Sequence, residues 1–405
     1  MSEKITDDFQ KAAAPFSSNC PPPRPASEDA GAGIRLSACQ WVIVAVICLA
    51  VSFLIPAIWE RLENFSPGPD YRIPYKLSND YWLYERYCRT ANFEYETLVI
   101  GDSVIWGHYV SRDNTLSHYL NEMSGTRKFA NLGLDGIHPA AMEGLLRYYG
   151  KKITNKNIIL HLNPLWMSTP KLDLQTEKEF NFNHPNLVPQ FKPEIACYKA
   201  SLSTRLSAVV RRFFTFPNWV SHLNITYFQG MDMPTWTLEN PYKNPLRAVT
   251  FNLQVVDSFE QSKKNIIQPK NNPFSASDTT KDEITDNGYQ WVRPEKSLQW
   301  SCFMRTIKLL RERDNHVFVL VGPFNEHMLE GTSLESYQRL KNEIEKWLLQ
   351  NNIACYMPPV LPAKIYQDAS HPLSEGYAMI AEQLLENESF NSTIFPADNS
   401  RTAGQ

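Results

Sequence analysis

The sequence predicts an α/β fold in which a parallel sheet is covered by helices. Short apolar runs recur along the chain, segments with apolar residues at helical spacing lie between them, and 43% of the 405 residues are hydrophobic. Strands that alternate with helices are joined by crossovers, and crossovers produce parallel sheets that are buried on both faces. The length suits one large domain with additions, or two domains.

Five strands and the helices between them follow from this pattern. The apolar runs predict strands at 97–100, 128–132, 157–162, 316–321 and 352–357. Helical spacing predicts helices at 115–123, 140–149, 296–312, 334–349 and 374–385. Ser374 is a candidate for the N-cap of the last helix, since its hydroxyl can accept from a free backbone N–H.

Residues 165–294 interrupt the alternation. A structureless loop of that length is unusual in a compact domain, so we expect an inserted subdomain that is partly helical near 203–214. The stretch from Arg205 to Trp219 mixes basic and aromatic residues. Such a mixture can lie on a membrane surface or contact a sugar. It is also typical of an amphipathic helix that packs on the core and keeps its charged edge in water.

The N-terminal part of the chain predicts a membrane anchor. Residues 1–37 are polar and Pro-rich, which predicts a disordered tail. Residues 38–59 carry no charge, are long enough to cross a bilayer, and have Trp41 and Trp59 near their two ends. A signal peptide fits poorly because the preceding tail is long, and a globular helix fits poorly because every face is apolar.

The remaining boundaries complete the predicted organisation. Residues 60–93 are interpreted as a connector, 94–390 as the main domain and 391–405 as a flexible tail. The distribution of positive charge around the span slightly favours a cytoplasmic tail and a main domain outside the cytoplasm. Those positive residues are Lys4, Lys11, Arg24 and Arg35 before the span, and Arg61, Arg72 and Lys76 after it.

A serine follows the first predicted strand. The tripeptide Gly101-Asp102-Ser103 comes directly after the apolar run at 97–100. Because sites in open parallel sheets form at the carboxyl ends of strands, Ser103 is a candidate nucleophile whose own N–H can point at an oxyanion. Taken alone, the tripeptide could equally be an ordinary turn capped by Asp and Ser.

A histidine and a carboxylate lie near the C-terminus in Asp368-Ala369-Ser370-His371. A serine nucleophile needs a base, and the base needs a carboxylate to fix its tautomer. The three-residue offset can place Asp368 behind the ring of His371 on one loop. Taken alone, this pattern is more often a surface turn.

Together the two segments resemble the SGNH, or GDSL-type, hydrolase family. The resemblance implies a flavodoxin-like parallel sheet, with Ser103, His371 and Asp368 as the catalytic triad. The family's second block resembles 131–136, which implies that Gly136 gives an N–H to the oxyanion hole beside Ser103. In the third block Asn163 falls at the expected place, but the Gly and final Asp of that block are missing, so Asn163 is the weakest assignment.

Other polar residues are expected near the site. Asp102, His138, Asn325 and His327 are candidates for substrate contact, although the stretch 322–327 could instead be a simple strand-ending turn. His108 and His118 are expected on the surface or on helices. No His and carboxylate residues have metal-ligand spacing, so no metal or cofactor is predicted. A net charge of -3 gives no basic field for nucleic acid.

The resemblance also implies a substrate class. Membrane-anchored relatives often act on acyl groups of cell-envelope polysaccharides, and some transfer them beside multi-pass acyl exporters. We therefore expect removal or transfer of O-acyl groups on an acylated envelope glycan, with such an exporter as a possible partner. The alternatives are an esterase of lipids or small esters, and a catalytically silent scaffold that binds a glycan or a partner.

Overall fold

The computed structural model describes residues 36–243 and 289–395. Among the described residues, 36–51 belong to one compact unit, and those from Ser52 onward belong to another. The first consists chiefly of the start of helix α1 (Ala38–Leu62), which is apolar, exposed, and long enough to cross a membrane. This helix supports a single-pass membrane protein, and it ends three residues later than the predicted span. Apart from residues 36 and 37, the predicted tail lies outside the described residues.

The second unit is built on a five-stranded parallel sheet with the order β2-β1-β3-β4-β5. The alternation of strands and helices therefore predicted the class correctly, and three of the predicted strands have the predicted bounds. The strands are β1 (Thr97–Ile100), β2 (Phe129–Asn131), β3 (Asn157–Leu162), β4 (His316–Val321) and β5 (Ala354–Tyr356). In the register, Leu98 lies opposite Ala130 and Ile158, and Val319 lies opposite Leu160 and Cys355.

Helices cover both faces of this sheet. Those before β4 are α2 (Tyr81–Glu94), α3 (Ser103–Trp106), α4 (Leu116–Met123), α5 (Pro139–Tyr148), α6 (Leu202–Phe213), α7 (Thr215–Tyr227), α8 (Met233–Glu239) and α9 (Leu298–Arg311). Those after β4 are α10 (Gly331–Gln350), α11 (Ser374–Glu386) and α12 (Glu388–Ile394). Short 3-10 turns lie at Tyr75–Leu77, Arg112–Asn114, Pro164–Met167, Glu326–Met328 and Ala363–Ile365.

The strand side chains divide the core into two layers. Leu98 and Val319 belong to a cluster with buried residues of α2, α5, α9 and α10. Val99 and Phe318, their neighbours in sequence, belong to a second cluster with α4, α11 and α12. Successive strand residues point to opposite faces of the sheet, so each face is covered by one of the two clusters. Both faces of the sheet are therefore buried, and loops reach it at its edges.

The predicted connector at 60–93 is wrong in its second half. Residues 81–94 form α2, whose N-cap Asp80 accepts a hydrogen bond from Leu83 N–H at 3.0 Å. Tyr84 and Tyr87 on this helix are fully enclosed in the core. Aromatic residues have modest helix propensity. The tyrosine-rich sequence of α2 therefore gives only a weak helical signal.

The C-terminal expectations also need correction. The predicted tail at 391–405 begins inside α12, where Phe390 and Ile394 are buried, and residues 396–405 lie outside the described residues. Leu373, not Ser374, occupies the N-cap position of α11. The Ser374 hydroxyl instead donates to Asn114 Oδ1 at 2.7 Å, because a partner across the fold competes with the cap.

The long connection between β3 and β4 carries α6, α7 and α8 before α9 returns along the sheet and packs on α5. Of the predicted insertion, residues 165–243 and 289–294 are described, and the rest lies outside the described residues. The described part belongs to the same compact unit as the sheet.

Candidate active site

Ser103 lies where β1 leaves the sheet. The strand ends at Ile100, and Ser103 is the first residue of α3 after a two-residue turn. A Cβ atom on Gly101 would lie 2.3 Å from Ile105 Cγ1 and 2.8 Å from His161 Cβ. Only glycine fits between the short helix and β3 at that point, so the turn brings Ser103 directly over the strand ends.

A short clasp between β5 and α11 presents the other two triad residues. Tyr366 and Pro372 form an antiparallel bridge, and Gln367 N–H donates to His371 O at 2.9 Å. Inside the clasp, Asp368 Oδ1 accepts from the N–H groups of Ser370 and His371, both at 2.9 Å. The carboxylate thus organises the loop that carries its own histidine partner.

The three predicted catalytic residues meet in one chain of hydrogen bonds. His371 Nδ1 donates to Asp368, with both carboxylate oxygens at 2.8 Å. Ser103 Oγ donates to His371 Nε2 at 2.8 Å. Since a carboxylate can only accept, Nδ1 carries the proton and Nε2 is left as the base for the serine hydroxyl. This is the arrangement that activates a serine nucleophile.

The electrostatics suit that arrangement. Burial lowers the pKa of His371, but the charge and hydrogen bond of Asp368 outweigh it, so the pKa is raised above 6.5. Burial raises the pKa of Asp368, but the charge of His371 and the hydrogen bonds that Asp368 accepts leave it lowered. The carboxylate therefore stays ionised and can stabilise the imidazolium that forms when the serine is deprotonated.

Asp102, a predicted substrate contact, is buried and does not line the cavity beside Ser103. Its carboxylate Oδ2 accepts from Asn163 Nδ2 and Trp166 Nε1, each at 2.8 Å, and Oδ1 accepts from Val104 N–H at 3.0 Å. His161 Nδ1 lies 3.3 Å from Oδ1. Burial opposes ionisation of Asp102, but the hydrogen bonds to its side chain lower its pKa to about 2. Asp102 thus ties the ends of β1 and β3 together under Ser103.

The backbone N–H groups of Ser103 and Gly136 are the two that the sequence predicts as oxyanion donors. Within residues 36–243 and 289–395, neither N–H donates to a protein acceptor. Gly136 has a φ of +68°, which glycine adopts freely, and it lines the same cavity as Ser103. Asn163 is less free, because Nδ2 donates to Asp102 and Oδ1 accepts from Leu165 N–H at 3.0 Å. Only the second Nδ2 hydrogen could serve an oxyanion.

An open cavity of about 430 Å³ adjoins the triad. Ser103 and His371 lie in its wall, and most of the other lining residues are polar. They are Tyr75, Lys76, Ser78, Asn79, His108, Asp135, Gly136, Phe182, Asn183, His184 and Pro185. The cavity is in the size range of small-molecule sites, and it offers many more hydrogen-bonding groups than apolar ones.

Two further histidines line this cavity, His108 and His184, and neither was predicted there. His108 is buried, contrary to the surface or helix position expected for it, and its Nδ1 lies 2.7 Å from Asp135 Oδ1. Its ring centroid is 5.3 Å from that of His371. Its partner Asp135 directly precedes Gly136 in the second family-like block, but nothing in the sequence links the two side chains. His118, by contrast, lies on α4 as expected, with Nδ1 2.8 Å from Asp70 Oδ2.

The other predicted substrate contacts, His138, Asn325 and His327, do not line the described cavity. His138 is buried, where burial lowers its pKa to about 4, and its Nε2 lies 3.2 Å from Asn183 O. Asn325 N–H donates to Ala369 O at 2.8 Å and so braces the clasp. His327 is exposed, and its Nε2 lies 3.0 Å from Leu361 O.

No group of three or more His, Cys, Asp or Glu residues in the described part of the chain is arranged to hold a metal ion. No protein-family model matches the chain, and a search of curated proteins finds no relative. The chemistry of the site therefore rests on its own atoms and distances.

Proposed function

We propose that the chain is a membrane-tethered serine enzyme of the SGNH type that removes or transfers O-acyl groups on a cell-envelope polysaccharide. The observation that carries this proposal is the continuous hydrogen-bond chain Ser103–His371–Asp368 beside an open cavity. The strand order 2-1-3-4-5 is that of flavodoxin-like folds, which supports the same family. In such folds ligands bind at the carboxyl ends of the strands, where Ser103 lies.

The geometry supports a two-step acyl transfer. His371 Nε2 takes the Ser103 hydroxyl proton as Oγ attacks the ester carbonyl, and the imidazolium then gives that proton to the leaving alcohol. Asp368 keeps Nδ1 protonated and balances the charge that forms on the ring. The N–H groups of Ser103 and Gly136 would stabilise the oxyanion of each tetrahedral intermediate. Water or an acceptor hydroxyl then attacks the Ser103 ester; His371 Nε2 takes its proton and returns it to Ser103 Oγ as the acyl group leaves.

The polarity of the cavity favours a glycan over a long-chain lipid. Lys76, Asn79, Asp135 and Asn183 can hydrogen-bond sugar hydroxyls, and the apolar side chains form only part of the wall. A fatty acyl chain would need a continuous apolar channel to repay the loss of water contacts around the polar groups. A short acyl group on a sugar needs only the serine, the oxyanion donors and a polar rim, which is what the cavity offers.

We also propose that α1 holds the catalytic unit outside the cytoplasm, where envelope glycans are found, with a multi-pass acyl exporter as a possible donor partner. The span and the slight excess of basic residues before it support this topology. A reporter that is active only outside the cytoplasm, fused after Gln405, should give signal. Signal from a cytoplasmic reporter at the same position would remove envelope glycans as substrates.

The acyl-enzyme itself tests the proposal. Purified full-length protein in detergent is mixed with an O-acetylated polysaccharide, quenched in acid, digested and analysed by mass spectrometry. An acetyl mass on the peptide that contains Ser103 is the expected result, and it should be absent from Ser103→Ala. Deacetylation of the polysaccharide without added acceptor would mark a hydrolase, and transfer to an added glycan would mark a transferase.

The alternatives give different results in the same assay. A lipid or small-ester esterase would acylate Ser103 from a lipid or a p-nitrophenyl ester but not from the polysaccharide. A silent scaffold would bind the polysaccharide and acquire no adduct from any donor. Binding of the polysaccharide with no adduct from any donor would overturn the proposed function.

A further inference from the structure

An apolar stripe runs along one side of α6. Leu202, Leu206, Val210 and Phe213 are 65%, 49%, 45% and 67% exposed. They are spaced by four, four and three residues, so successive turns of the helix place them on one face. Single exposed apolar residues are ordinary, but a contiguous stripe of this kind marks a surface that something apolar covers.

The sequence that contains the stripe carries charge of one sign. Between Glu194 and Asp232 the chain contains no acidic residue. The lysines and arginines in that interval are Lys199, Arg205, Arg211 and Arg212, and the buried His222 also lies in it. An apolar helix face accompanied by basic residues alone is typical of a helix that lies in the interface of a membrane with anionic lipids.

Two of these arginines fix the roll of α6. The Arg212 guanidinium donates to Asn186 O at 2.7 Å, and the Arg205 guanidinium donates to Tyr198 O at 2.5 Å. The sequence left two roles open for this stretch, contact with a membrane or sugar and packing on the core. The guanidinium groups of Arg205 and Arg212 have the second role, because they bind backbone carbonyl groups of the protein. Because they face inward, the apolar stripe is held outward, away from the core.

The next helix, α7, contacts the end of the membrane-spanning helix. The Trp59 ring centroid lies 5.9 Å from that of Trp219 and 6.1 Å from that of Tyr227. Trp59 is the last residue before the charged pair Glu60-Arg61, so it marks the membrane–water interface. Because α6 packs on α7, the stripe belongs to the helix pair that contacts Trp59.

We propose that the α6–α7 hairpin lies on the surface of the membrane that α1 crosses, with the stripe inserted among the lipid chains. The proposal depends on the span and not on the catalytic function. The hairpin would give the second unit a membrane contact besides the span.

Lipid photo-crosslinking tests the contact directly. Full-length protein is reconstituted in vesicles of phosphatidylcholine and phosphatidylglycerol that contain a lipid with a diazirine in its acyl chain. After illumination, adducts are mapped by mass spectrometry. We expect adducts on residues 202–214 as well as on the span at 38–59, which serves as the internal positive control.

Variants give the matched comparison. Leu206→Ser with Val210→Ser should lower the yield of adducts on 202–214 on the order of tenfold, since each buried apolar side chain contributes strongly to insertion. Adducts on the span should not change. Leu349→Ser, at a residue that is 62% exposed on α10, should change neither yield. Both altered residues of α6 face outward, so the fold should persist, and unchanged ester hydrolysis or circular dichroism would verify it.

Two results would overturn the proposal. Adducts on the span with none on 202–214 would show that the stripe stays in water. If instead the wild-type chain is a dimer in detergent, the double variant is a monomer, and no lipid adduct forms on 202–214, the stripe is covered by a second copy of the chain.

Discussion

His371 and His222 are two buried histidines that meet carboxylates in similar ways. His371 Nδ1 lies 2.8 Å from both carboxylate oxygens of Asp368, and His222 Nδ1 lies 2.6 Å from Asp80 Oδ2. Burial lowers both pKa values, but the carboxylates outweigh it in each case and raise them, for His222 to about 9. Judged by charge environment alone, either histidine could be the functional one.

The second ring nitrogen separates them. His371 Nε2 faces the Ser103 hydroxyl beside a cavity, whereas His222 Nε2 faces Glu63 Oε1 at 3.1 Å in a fully enclosed site. Glu63 is also paired with Arg86 at 2.6 Å. A ring with carboxylates on both sides has no nitrogen left for catalysis, so the His222 cluster clamps α7 to the chain that follows α1. A histidine with a shifted pKa is therefore a catalytic candidate only if one ring nitrogen is free, a nucleophile lies beside it, and substrate can reach both.

Removing the nucleophile or the base should have the largest effect. Ser103→Ala and His371→Ala should each lower the turnover of p-nitrophenyl acetate by about four to six orders of magnitude, and the double variant should be little worse, because triad residues act as a unit. The matched control is His222→Gln, assayed in detergent well below its melting temperature. It should keep most of its turnover. An equal loss in folded His222→Gln would erase the distinction between the two histidines.

Neutralising the two aspartates should separate them as well. Asp368→Asn should lower kcat by about 10³–10⁴, because an amide does not hold Nδ1–H or stabilise the imidazolium as a carboxylate does. Asp80→Asn should reduce stability and leave kcat of the folded protein near wild type. Steady-state kinetics at matched folded fractions measure both. If kcat falls equally in the two variants, Asp368 has no special place in catalysis.

His222→Gln should cost stability rather than activity. Removing the His222 imidazolium leaves the carboxylates of Glu63 and Asp80 buried without this partner. Breaking a buried ion pair in this way lowers the free energy of unfolding by about 3–5 kcal/mol. The folded pKa of about 9 lies above the unfolded 6.5, so the contribution is complete below pH 6.5 and is lost as pH rises through about 9. Urea unfolding at pH 6 and pH 10 should show a larger gap between wild type and variant at pH 6. If the stability difference between wild type and variant did not depend on pH, protonation of His222 would not be its cause.

The smallest expected effect is in the pH profile. The neutral form of His371 is the active base, so kcat/KM should rise with pH and reach half its plateau above pH 6.5, the direction in which Asp368 shifts the pKa. In Asp368→Asn the midpoint of the residual activity should move down, because the charge that favours the imidazolium is gone. A wild-type midpoint below 6.5, or one unmoved in the variant, would contradict the assigned pairing.

The sequence was most informative where the signal is local. The strands at 97–100, 157–162 and 316–321 are continuous apolar runs because both faces of the sheet are buried, and their bounds were predicted residue for residue. Ser103 could be predicted because it follows β1 directly, and sites in parallel sheets form at the carboxyl ends of the strands. The Asp368–His371 pair lies well beyond β5, which ends at Tyr356, and was predicted from its own spacing and its resemblance to the family's last block.

The rest depends on contacts between distant segments. The pairing of His108 with Asp135 joins two loops, and no periodicity encodes it. The orientation of Asn163 is set by Asp102, which competes with an oxyanion for the same amide. Helix α2 was missed because its buried face is built from tyrosines, whose weak helix propensity tertiary packing overrides.

Labelling with a fluorophosphonate probe tests the central claim most directly, because the probe reacts only with a serine that an adjacent base has activated. Full-length wild-type protein and His222→Gln should both be labelled, and peptide mapping should place the phosphonyl mass on Ser103. Ser103→Ala and His371→Ala should remain unlabelled. Equal labelling of wild type and Ser103→Ala, or no labelling of a folded wild-type protein, would contradict the assignment of Ser103 as the nucleophile.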